Sequence, residues 1–364
     1  MTLGIDIRMF NASGIGTYLQ NLLPALSQDF DLILLAHPSE GHLPYGRVIT
    51  TEVPIYSLGE LRTLSSVIPP CDVFWSPHYN VPLLPVRAAK RLVTIHDVFH
   101  LAFFSTLSLK QKAYARLMFW AAIRNSANVI TVSEFSRAEI TKYLKATPEQ
   151  ITVIPNGLNH TLFRVIDDAD RLRSVRQKYQ LPERYVLYVG NVKPHKNLLA
   201  MVKAFAELPA EDDYHLVIVG KKEGFITGDT GLHEFIQQRG TLAAQVHFTG
   251  FVAEEDLPAL YTLARLFVFP SYYEGFGLPP LEAMACGCPV LASDRASMPE
   301  ICGEAAAYVS PNNPSAMAAK MHALLHQSSG DRERMVHRGH QQAQKYTWEQ
   351  SIQQHRQLIR ALSH

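Results

Sequence analysis

The sequence has few cysteines and no complete metal-binding motif. Among its four cysteines, Cys71, Cys286, Cys288 and Cys302, only Cys286-Gly-Cys288 has a spacing that suggests metal ligands. No second cysteine pair exists, and no histidine cluster lies near this pair in the sequence. We therefore interpret the cysteines as small buried side chains in a reducing compartment and expect no zinc centre there.

The sequence also lacks a charge excess and a long apolar run. Its 34 basic and 33 acidic residues give a net charge of +1, whereas proteins that bind the nucleic-acid backbone usually carry a basic excess. No apolar run reaches the roughly 18 residues of a spanning helix, and Met1 leads directly into a strand-like run without a signal-peptide pattern. We expect no nucleic-acid partner and a cytoplasmic protein, with peripheral contact at the inner face of the membrane left open.

Strand-like runs alternate with helix-length segments from end to end, which is typical of parallel sheets covered by helices on both faces. The charged stretch 159–182 separates two series of such runs. We therefore expect a Rossmann-like domain over residues 1–165, joined by a terminal helix over 346–364, and a second Rossmann-like domain over residues 166–345. The predicted strands are Leu3–Arg8, Leu32–Ala36, Val48–Val53, Val73–Ser76, Leu92–His96, Val129–Ser133, Ile151–Ile154, Tyr185–Gly190, His215–Gly220, Val246–Gly250, Leu266–Pro270, Val290–Ser293 and Ala307–Val309.

Polar residues and glycines gather where these predicted strands end. Gly14-Ile-Gly16, His96-Asp97, Gly190 and Glu274 are examples. Ligands of open parallel sheets bind beyond the carboxyl ends of the strands, so we expect a ligand held between two facing domains. Glycines such as Gly220 and Gly250 also fit a simpler interpretation, in which they only end strands.

The most specific segment runs from Pro270 to Val290 and contains two glutamates, Glu274 and Glu282, with seven residues between them. Its glycines let the backbone approach a ligand, and a helix that begins near Leu278 offers free N–H groups to a diphosphate. A carboxylate accepts two hydroxyl hydrogen bonds, which suits a sugar or ribose diol. The alternative is a turn-rich loop with a solvated Glu274 and a helix-surface Glu282.

A second segment, Gly190–Asn197, places Lys193 and Lys196 between the end of a strand and a helix that begins near Asn197. Lysine is a compact cation that stabilises the charge on a departing diphosphate. Ordinary solvated lysines are the alternative for both positions.

These motifs resemble the retaining glycosyltransferases of the GT-B fold, family 4 (GT4), and the similarity covers nearly the whole chain. The resemblance implies two Rossmann-like domains facing across a cleft, with a C-terminal helix that crosses back to the first domain. It also implies catalytic roles for His96 and Glu274 at the donor sugar and for Lys196 at the diphosphate. Relatives often carry arginine where this chain has Asn191 and His195. Further donor-binding positions implied by it are Gly14, Gly16, Asn191, Lys193, Gly275, Phe276, Gly277, Leu278 and, at the nucleotide ribose, Glu282.

The function implied by the resemblance is transfer of a hexose, with retention, from a nucleotide-diphospho-sugar to a glycan or lipid-linked glycan in polysaccharide biosynthesis. GDP-mannose is the favoured donor; UDP-glucose, UDP-N-acetylglucosamine and deoxyhexose donors stay open. No cofactor and no metal are expected, because two lysines and a helix terminus can balance the diphosphate. A nucleotide-sugar epimerase, a glycoside phosphorylase and a catalytically silent sugar-binding protein are the alternatives.

Four smaller features have local interpretations. Ser133 is predicted to cap the helix that follows it, and Asn156-Gly157 is predicted to form a turn with positive φ at the glycine. Asp97 either orients His96 or contacts the acceptor. The stretch His100–Arg124 mixes aromatic and basic residues, which fits an acceptor or membrane surface or a core helix with solvated charges.

Overall fold

The computed structural model describes residues 1–41, 43–220 and 230–362, and the chain forms two compact units. The first unit consists of Met1–Gly157 and Trp348–His364, and the second of Leu158–Thr347. The division at Gly157 lies before the boundary near residue 165 that the sequence predicts. Residues 363–364 of the predicted terminal helix lie outside the described residues.

The first unit is built on a parallel sheet in which the strands follow the order β3-β2-β1-β4-β5-β6-β7. Connections to β2 and β3 run one way from β1, and the connection to β4 runs the other way, so the strand order reverses between β1 and β4. The strands are β1 (Thr2–Asp6), β2 (Asp31–Ala36), β3 (Arg47–Thr50), β4 (Cys71–Ser76), β5 (Ala88–Thr94), β6 (Asn128–Thr131) and β7 (Ile151–Val153).

Helices cover both faces of this sheet, because successive strand residues point to opposite sides. Trp75 lies in one apolar cluster with Tyr18 and Ile359, whereas its neighbour Phe74 lies in another with Leu64. The helices are α1 (Ser13–Leu26), α2 (Leu58–Val67), α3 (Phe99–Ala102), α4 (Leu109–Asn125), α5 (Glu134–Leu144) and, from the end of the chain, α15 (Trp348–Leu362).

The terminal helix α15 returns to the first unit, as predicted. The hydroxyl of Tyr18 lies 2.5 Å from Nε2 of the buried His355. At the helix end, Asp29 forms ion pairs with Arg356 and Arg360, at 2.6 and 2.7 Å. Together with the apolar contacts of Ile359, these bonds attach the helix to α1 and the end of the loop that follows it.

The second unit is also built on a parallel sheet, with the strand order β10-β9-β8-β11-β12-β13. This is the order of dinucleotide-binding domains, and its reversal point lies between β8 and β11. The predicted fold class of two Rossmann-like domains is therefore confirmed. Its strands are β8 (Tyr185–Val189), β9 (His215–Val219), β10 (Val246–Gly250), β11 (Leu266–Phe269), β12 (Val290–Ser293) and β13 (Ala307–Val309); its helices are α6 (Ala169–Lys178), α7 (Leu198–Phe205), α8 (Thr230–Gln237), α9 (Gly240–Gln245), α10 (Leu257–Leu263), α11 (Leu278–Ala285), α12 (Met298–Cys302), α13 (Pro314–Leu325) and α14 (Ser329–Ala343).

Over the residues described, the structure contains no helix that is both long enough and apolar enough to cross a bilayer.

Candidate active site

The two segments singled out in the second half of the sequence lie side by side at the reversal point of the second sheet. β8 and β11 pair with each other in parallel, so the loops that follow them, 190–197 and 270–277, leave the same edge of the sheet. This is the position where ligands of doubly wound sheets bind.

Lys196 and Glu274 meet at this edge. Nζ of Lys196 lies 2.5 Å from Oε1 of Glu274, and the two side chains are 19% and 13% exposed. The ammonium group also lies 5.5 Å from the centre of the Phe269 ring. A cation and a carboxylate are therefore held together in a largely buried position that a ligand can still reach.

Asn197 clamps the loops that carry these two residues. Its Nδ2 donates to the carbonyl oxygens of Pro270, at 3.2 Å, and Pro311, at 2.8 Å. A backbone hydrogen bond from Tyr272 N to His195 O, at 2.8 Å, joins the same loops. Asn197 has a left-handed backbone with φ 59°, a conformation that asparagine tolerates better than most residues. The sequence interpretation used Asn197 only as the start of a helix and missed this clamp.

Hydrogen bonds from Ser297 fix the loop around Glu274. The Ser297 hydroxyl lies 2.9 Å from the Glu274 carbonyl oxygen and 2.8 Å from that of Phe276. Gly277 follows with φ 101°, and a Cβ there would lie 2.3 Å from Cε of Met298. The positive φ favours glycine at this position, and a larger residue would also displace the end of the Met298 side chain.

The start of α11 presents backbone donors beside Lys196. Within the described residues, the N–H groups of Phe276, Gly277 and Leu278 have no hydrogen-bond acceptor. Pro279 and Pro280 occupy the next two positions, where their missing N–H groups cost nothing. These donors and the positive end of the helix dipole make this loop suitable for an anion such as a diphosphate.

Glu282 lies one turn into α11, half-buried, and its Oε2 accepts a hydrogen bond of 2.8 Å from the hydroxyl of Tyr261. Burial raises the pKa of Glu282 to about 7, the hydrogen bond from Tyr261 opposes this, and the charge of Glu254 adds to it. Keeping this carboxylate ionised near neutral pH therefore costs the fold free energy, which is a common property of functional groups.

Because ionised Glu282 costs the fold free energy, a variant without this carboxylate should be more stable than the wild type. An acid whose pKa is raised in the folded state loses its proton more easily in the unfolded state. The free energy of unfolding therefore falls as the pH rises from the ordinary pKa of glutamate toward 7. For Glu282→Gln we expect the free energy of unfolding of the second unit to increase by about 2–3 kcal/mol near pH 8, and by much less near pH 5. Calorimetry at the two pH values measures this difference.

The exposed Glu333 in the same unit provides the control, since Glu333→Gln removes a carboxylate without relieving burial. The family resemblance implies that Glu282 binds the ribose of a nucleotide donor. An amide offers one acceptor oxygen to two ribose hydroxyls, so the same Glu282→Gln variant should bind such a donor roughly 10–100-fold more weakly. A variant that is stabilised equally at both pH values would refute the raised pKa.

Asn191 and Lys193 are both exposed at the start of the loop after β8. The Asn191 carbonyl oxygen accepts a bond of 3.3 Å from the Tyr188 hydroxyl, and Lys193 forms no ion pair within the described part of the chain. The structure thus brings Lys196, but not Lys193, into contact with Glu274.

Gly220 packs closely against the neighbouring strand end, because a Cβ there would lie 2.6 Å from the Gly190 oxygen.

A buried ion network lies at the reversal point of the first sheet, and sequence reasoning had left its central residue, Arg8, without a role. Arg8 Nη2 lies 2.6 Å from Asp6 Oδ2 and 2.7 Å from Glu60 Oε1. The other oxygen of Glu60 accepts bonds of 3.0 Å from Asn80 Nδ2 and from the Tyr114 hydroxyl. Burial lowers the pKa of Arg8, but the two carboxylates outweigh it and raise the pKa above its ordinary value.

His96 follows β5 and is held by the neighbouring loop. Its Nε2 lies 3.0 Å from the carbonyl oxygen of Pro77, which assigns the proton to Nε2 and leaves Nδ1 as an acceptor. Burial lowers the pKa of His96, which the Pro77 bond and Asp97 partly oppose, so the ring is neutral near pH 7. Asp97 accepts a hydrogen bond of 2.9 Å from the N–H of Phe99 at the start of α3.

Two expectations for the first unit need correction. Gly14 and Gly16, which were expected where the first strand ends, lie inside the first turn of α1, which begins at Ser13. A Cβ at Gly16 would lie 2.5 Å from the Phe10 oxygen, whereas Gly14 faces open space. The expected positive φ at Gly157 is also wrong, since Gly157 is not among the glycines with positive φ. Ser133 caps α5 through a bond of 3.0 Å to Ser136 N, as predicted.

Among the residues described, no cysteine belongs to a group of three or more potential metal ligands. Cys286 and Cys288 are buried and free, and burial raises the pKa of both thiols.

Comparison with known proteins gave matches in both units. The family model described as "Glycosyl transferases group 1" matches residues 173–342, and the model "Glycosyltransferase Family 4" matches residues 12–162. The chain is 35% identical over 272 residues to O-antigen chain mannosyltransferase B of Escherichia coli, which covers 73% of this chain and 69% of that protein.

Two further matches differ in how much of this chain and of the matched protein they cover. Serotype-specific mannosyltransferase WbdA of Escherichia coli is 34% identical over 223 residues, which is 60% of this chain but only 27% of that longer protein. The solved structure of sucrose-phosphate synthase from Thermosynechococcus elongatus has a TM-score of 0.80 at 24% identity and covers 100% of this chain and 99% of its own.

Proposed function

Because the chain belongs to the group 1, family 4 glycosyltransferases and is a hexosyltransferase of polysaccharide biosynthesis, we propose that it transfers mannose from GDP-mannose with retention of configuration. The acceptor is a glycan or a lipid-linked glycan. The similar Escherichia coli proteins are mannosyltransferases by name, which supports mannose as the sugar. GDP and retention rest on the motif resemblance.

The contact between Lys196 and Glu274 is the observation that supports this proposal most strongly. A nucleotide-sugar donor joins a dianionic diphosphate to a neutral sugar rich in hydroxyl groups. Lysine binds the first and a carboxylate accepts hydrogen bonds from the second. The two side chains lie 2.5 Å apart, so the groups that would bind the two parts of the donor are direct neighbours.

The remaining donor contacts come from α11 and the loop before it. The N–H groups of Phe276, Gly277 and Leu278 bind the diphosphate opposite Lys196, and Glu282 in its ionised form accepts both ribose hydroxyls. This assignment also explains why the protein keeps a carboxylate whose burial raises its pKa to about 7.

The proposed sugar transfer breaks one bond at the anomeric carbon and forms another. The bond between the anomeric carbon and the diphosphate oxygen breaks, and an oxocarbenium-like centre forms. An acceptor hydroxyl then bonds to that carbon from the same face, and its proton passes to the departing phosphate oxygen. Lys196 and the N–H donors stabilise the charge that accumulates on the leaving group. The protein residues of this scheme supply the positive charge themselves, and no step in it calls on a metal ion or a cofactor.

His96 is assigned to the donor sugar, with neutral Nδ1 accepting a hydroxyl hydrogen bond, and the first unit is assigned to the acceptor. A small pocket at its reversal point is lined by polar residues that sequence reasoning missed, including His78 and Asn80 beside Arg8.

A ligand panel tests the donor assignment. Thermal unfolding of the full chain is measured with GDP, UDP, TDP and ADP, and a ligand present at 100 times its Kd stabilises by about 2.7 kcal/mol. We expect GDP to raise Tm most. A larger shift with UDP would overturn GDP-mannose as the donor.

Product analysis tests the reaction. Incubation with GDP-mannose and a mannose-terminated acceptor should give a new α-mannosyl linkage by NMR, because the donor is an α-mannoside and configuration is retained. A β-linked product would overturn retention. Conversion of the donor without an acceptor would indicate the epimerase alternative, and consumption of inorganic phosphate would indicate the phosphorylase.

The acceptor or membrane surface considered above corresponds to an aromatic and basic face of the first unit. Leu109 and Trp120 on α4 are 83% and 56% exposed. Arg116 lies 4.3 Å from the centre of the Phe104 ring, and a groove of about 510 Å³ is lined by Phe104, Arg116, Trp120 and residues of α3 and α5. Basic and aromatic groups together suit an anionic lipid surface, where each cation contributes about 1 kcal/mol.

We expect an Arg116→Glu, Trp120→Ala double variant to bind vesicles of phosphatidylglycerol and phosphatidylcholine at least roughly tenfold more weakly than the wild type. Cosedimentation measures this binding. Phe251→Ala is the matched control, because Phe251 is 74% exposed on the second unit. Equal binding of the wild type and the double variant would contradict peripheral contact through this face.

A further inference from the structure

A cluster of two histidines and one aspartate lies in the second unit, away from the donor loops. Nε2 of His326 lies 2.9 Å from Oδ2 of Asp212, and Nε2 of His322 lies 3.7 Å from the same oxygen. The ligand atoms of all three residues lie within 4.8 Å of one another. Nothing in the donor chemistry uses these side chains.

The cluster lies at the edge of the sheet opposite to the active site. Asp212 ends a 3₁₀ turn, Ala210–Asp212, which comes just before β9 begins at His215. The helix α13 follows β13 and runs back across the sheet, so its last residues reach the same amino edge. Lys196 and Glu274 come after strand ends, at the carboxyl edge.

Two features place the three side chains in a geometry suited to a metal ion. His322 and His326 are four residues apart at the end of α13, which puts them on one helix face, and their ring centres are 4.4 Å apart. Ligand atoms around a tetrahedral zinc ion with bonds of ~2.0–2.1 Å lie about 3.3 Å from one another. The distances from Asp212 Oδ2 to Nε2 of His326, 2.9 Å, and to Nε2 of His322, 3.7 Å, lie on either side of this value.

The backbones that carry the ligands are fixed by the core. Phe205 of α7 and Met317 and Met321 of α13 belong to one buried apolar cluster. A hydrogen bond of 3.0 Å from Ser315 Oγ to Glu207 Oε1 joins the start of α13 to the segment after α7. The ligands therefore come from two elements that are packed together whether or not an ion is present, which lowers the entropy cost of binding.

We propose that Asp212, His322 and His326 form a binding site for one divalent transition-metal ion of the zinc class. Two imidazoles and a carboxylate are typical zinc ligands, and the negative end of the α13 dipole favours a cation. The Asp212 side chain is 12% exposed and those of His322 and His326 are 48% and 43% exposed, so solvent completes the coordination. The ion connects the turn before β9 to α13 and has a structural role.

Calorimetric titration of the chelator-treated full chain with zinc chloride tests the site. We expect one tight binding event in the wild type, weakened by at least the 10–100-fold that loss of a supporting group costs, in each of His322→Ala, His326→Ala and Asp212→Asn. Zinc should also raise Tm of the wild type but not of these variants.

The control is His337→Ala, which removes another exposed helix histidine of the same unit and should leave tight binding intact. Equal isotherms for the wild type and His322→Ala would overturn the site, as would an equal loss in His337→Ala. Sugar transfer should continue after chelation, and its loss would contradict a purely structural role. The zinc titration does not depend on the identity of the sugar donor.

Discussion

Lys196→Ala is expected to lower kcat by about 10²–10³-fold, the effect of removing one donor from a preorganised anion site. The leaving diphosphate gains negative charge in the transition state, and the structure places the Lys196 ammonium next to Glu274, the carboxylate that we assign to the donor sugar. A steady-state assay of sugar transfer at saturating donor measures the effect, with circular dichroism to check the fold.

Two variants make this prediction specific. Lys193→Ala removes an exposed lysine of the same loop and should have a much smaller effect on kcat. Because Lys196 and Glu274 touch, the effects of Lys196→Ala and Glu274→Ala should be less than additive in the double variant. Turnover close to that of the wild type in Lys196→Ala would remove Lys196 from the mechanism.

Arg8→Ala is expected to destabilise the first unit by about 3–5 kcal/mol, the cost of leaving buried charges without their partner. The Arg8 side chain is 2% exposed, and those of Asp6 and Glu60 are 8% and 0% exposed. Removal of the guanidinium leaves two carboxylates facing each other in the interior. The loss concerns folding, so we expect it in unfolding measurements on this unit.

The tryptophans allow the two units to be measured separately. All three, Trp75, Trp120 and Trp348, lie in the first unit, so their fluorescence during urea unfolding reports that unit alone. Arg137→Ala is the control, because Arg137 forms an exposed pair with Glu134 in the same unit and its loss should cost less than about 1 kcal/mol. A tryptophan transition in Arg8→Ala that matches the wild type would contradict a stabilising role for the network.

The sequence was sufficient to predict the strands and the start of α11. Apolar runs that end in glycine or a polar residue predicted the strands to within a few residues; Val246–Gly250 and Val290–Ser293 agree at both ends. The start of α11 at Leu278 was also predicted, because a proline after a glycine-rich loop is a strong local signal. Such features depend on neighbours in the chain, which a sequence displays directly.

What could not be predicted depends on residues that meet only in the folded chain. Arg8 is paired with Glu60, and Glu60 with Tyr114, across long sequence separations. The raised pKa of Glu282 depends on burial in the folded unit, which no spacing rule reveals. Gly16 illustrates a different limit, because glycines that pack a helix closely against a loop and glycines that approach a ligand look the same in a sequence.

In the proposed complex, the second unit holds the donor diphosphate with Lys196 and the N–H groups at the start of α11. A crystal structure with bound GDP or GDP-mannose would show these contacts. We expect Lys196 Nζ and the Phe276–Leu278 N–H groups to lie within about 3 Å of diphosphate oxygens, and Glu282 to contact the ribose hydroxyls. A diphosphate bound away from Lys196, with the Glu274–Glu282 segment making no contact to the ligand, would contradict this proposal.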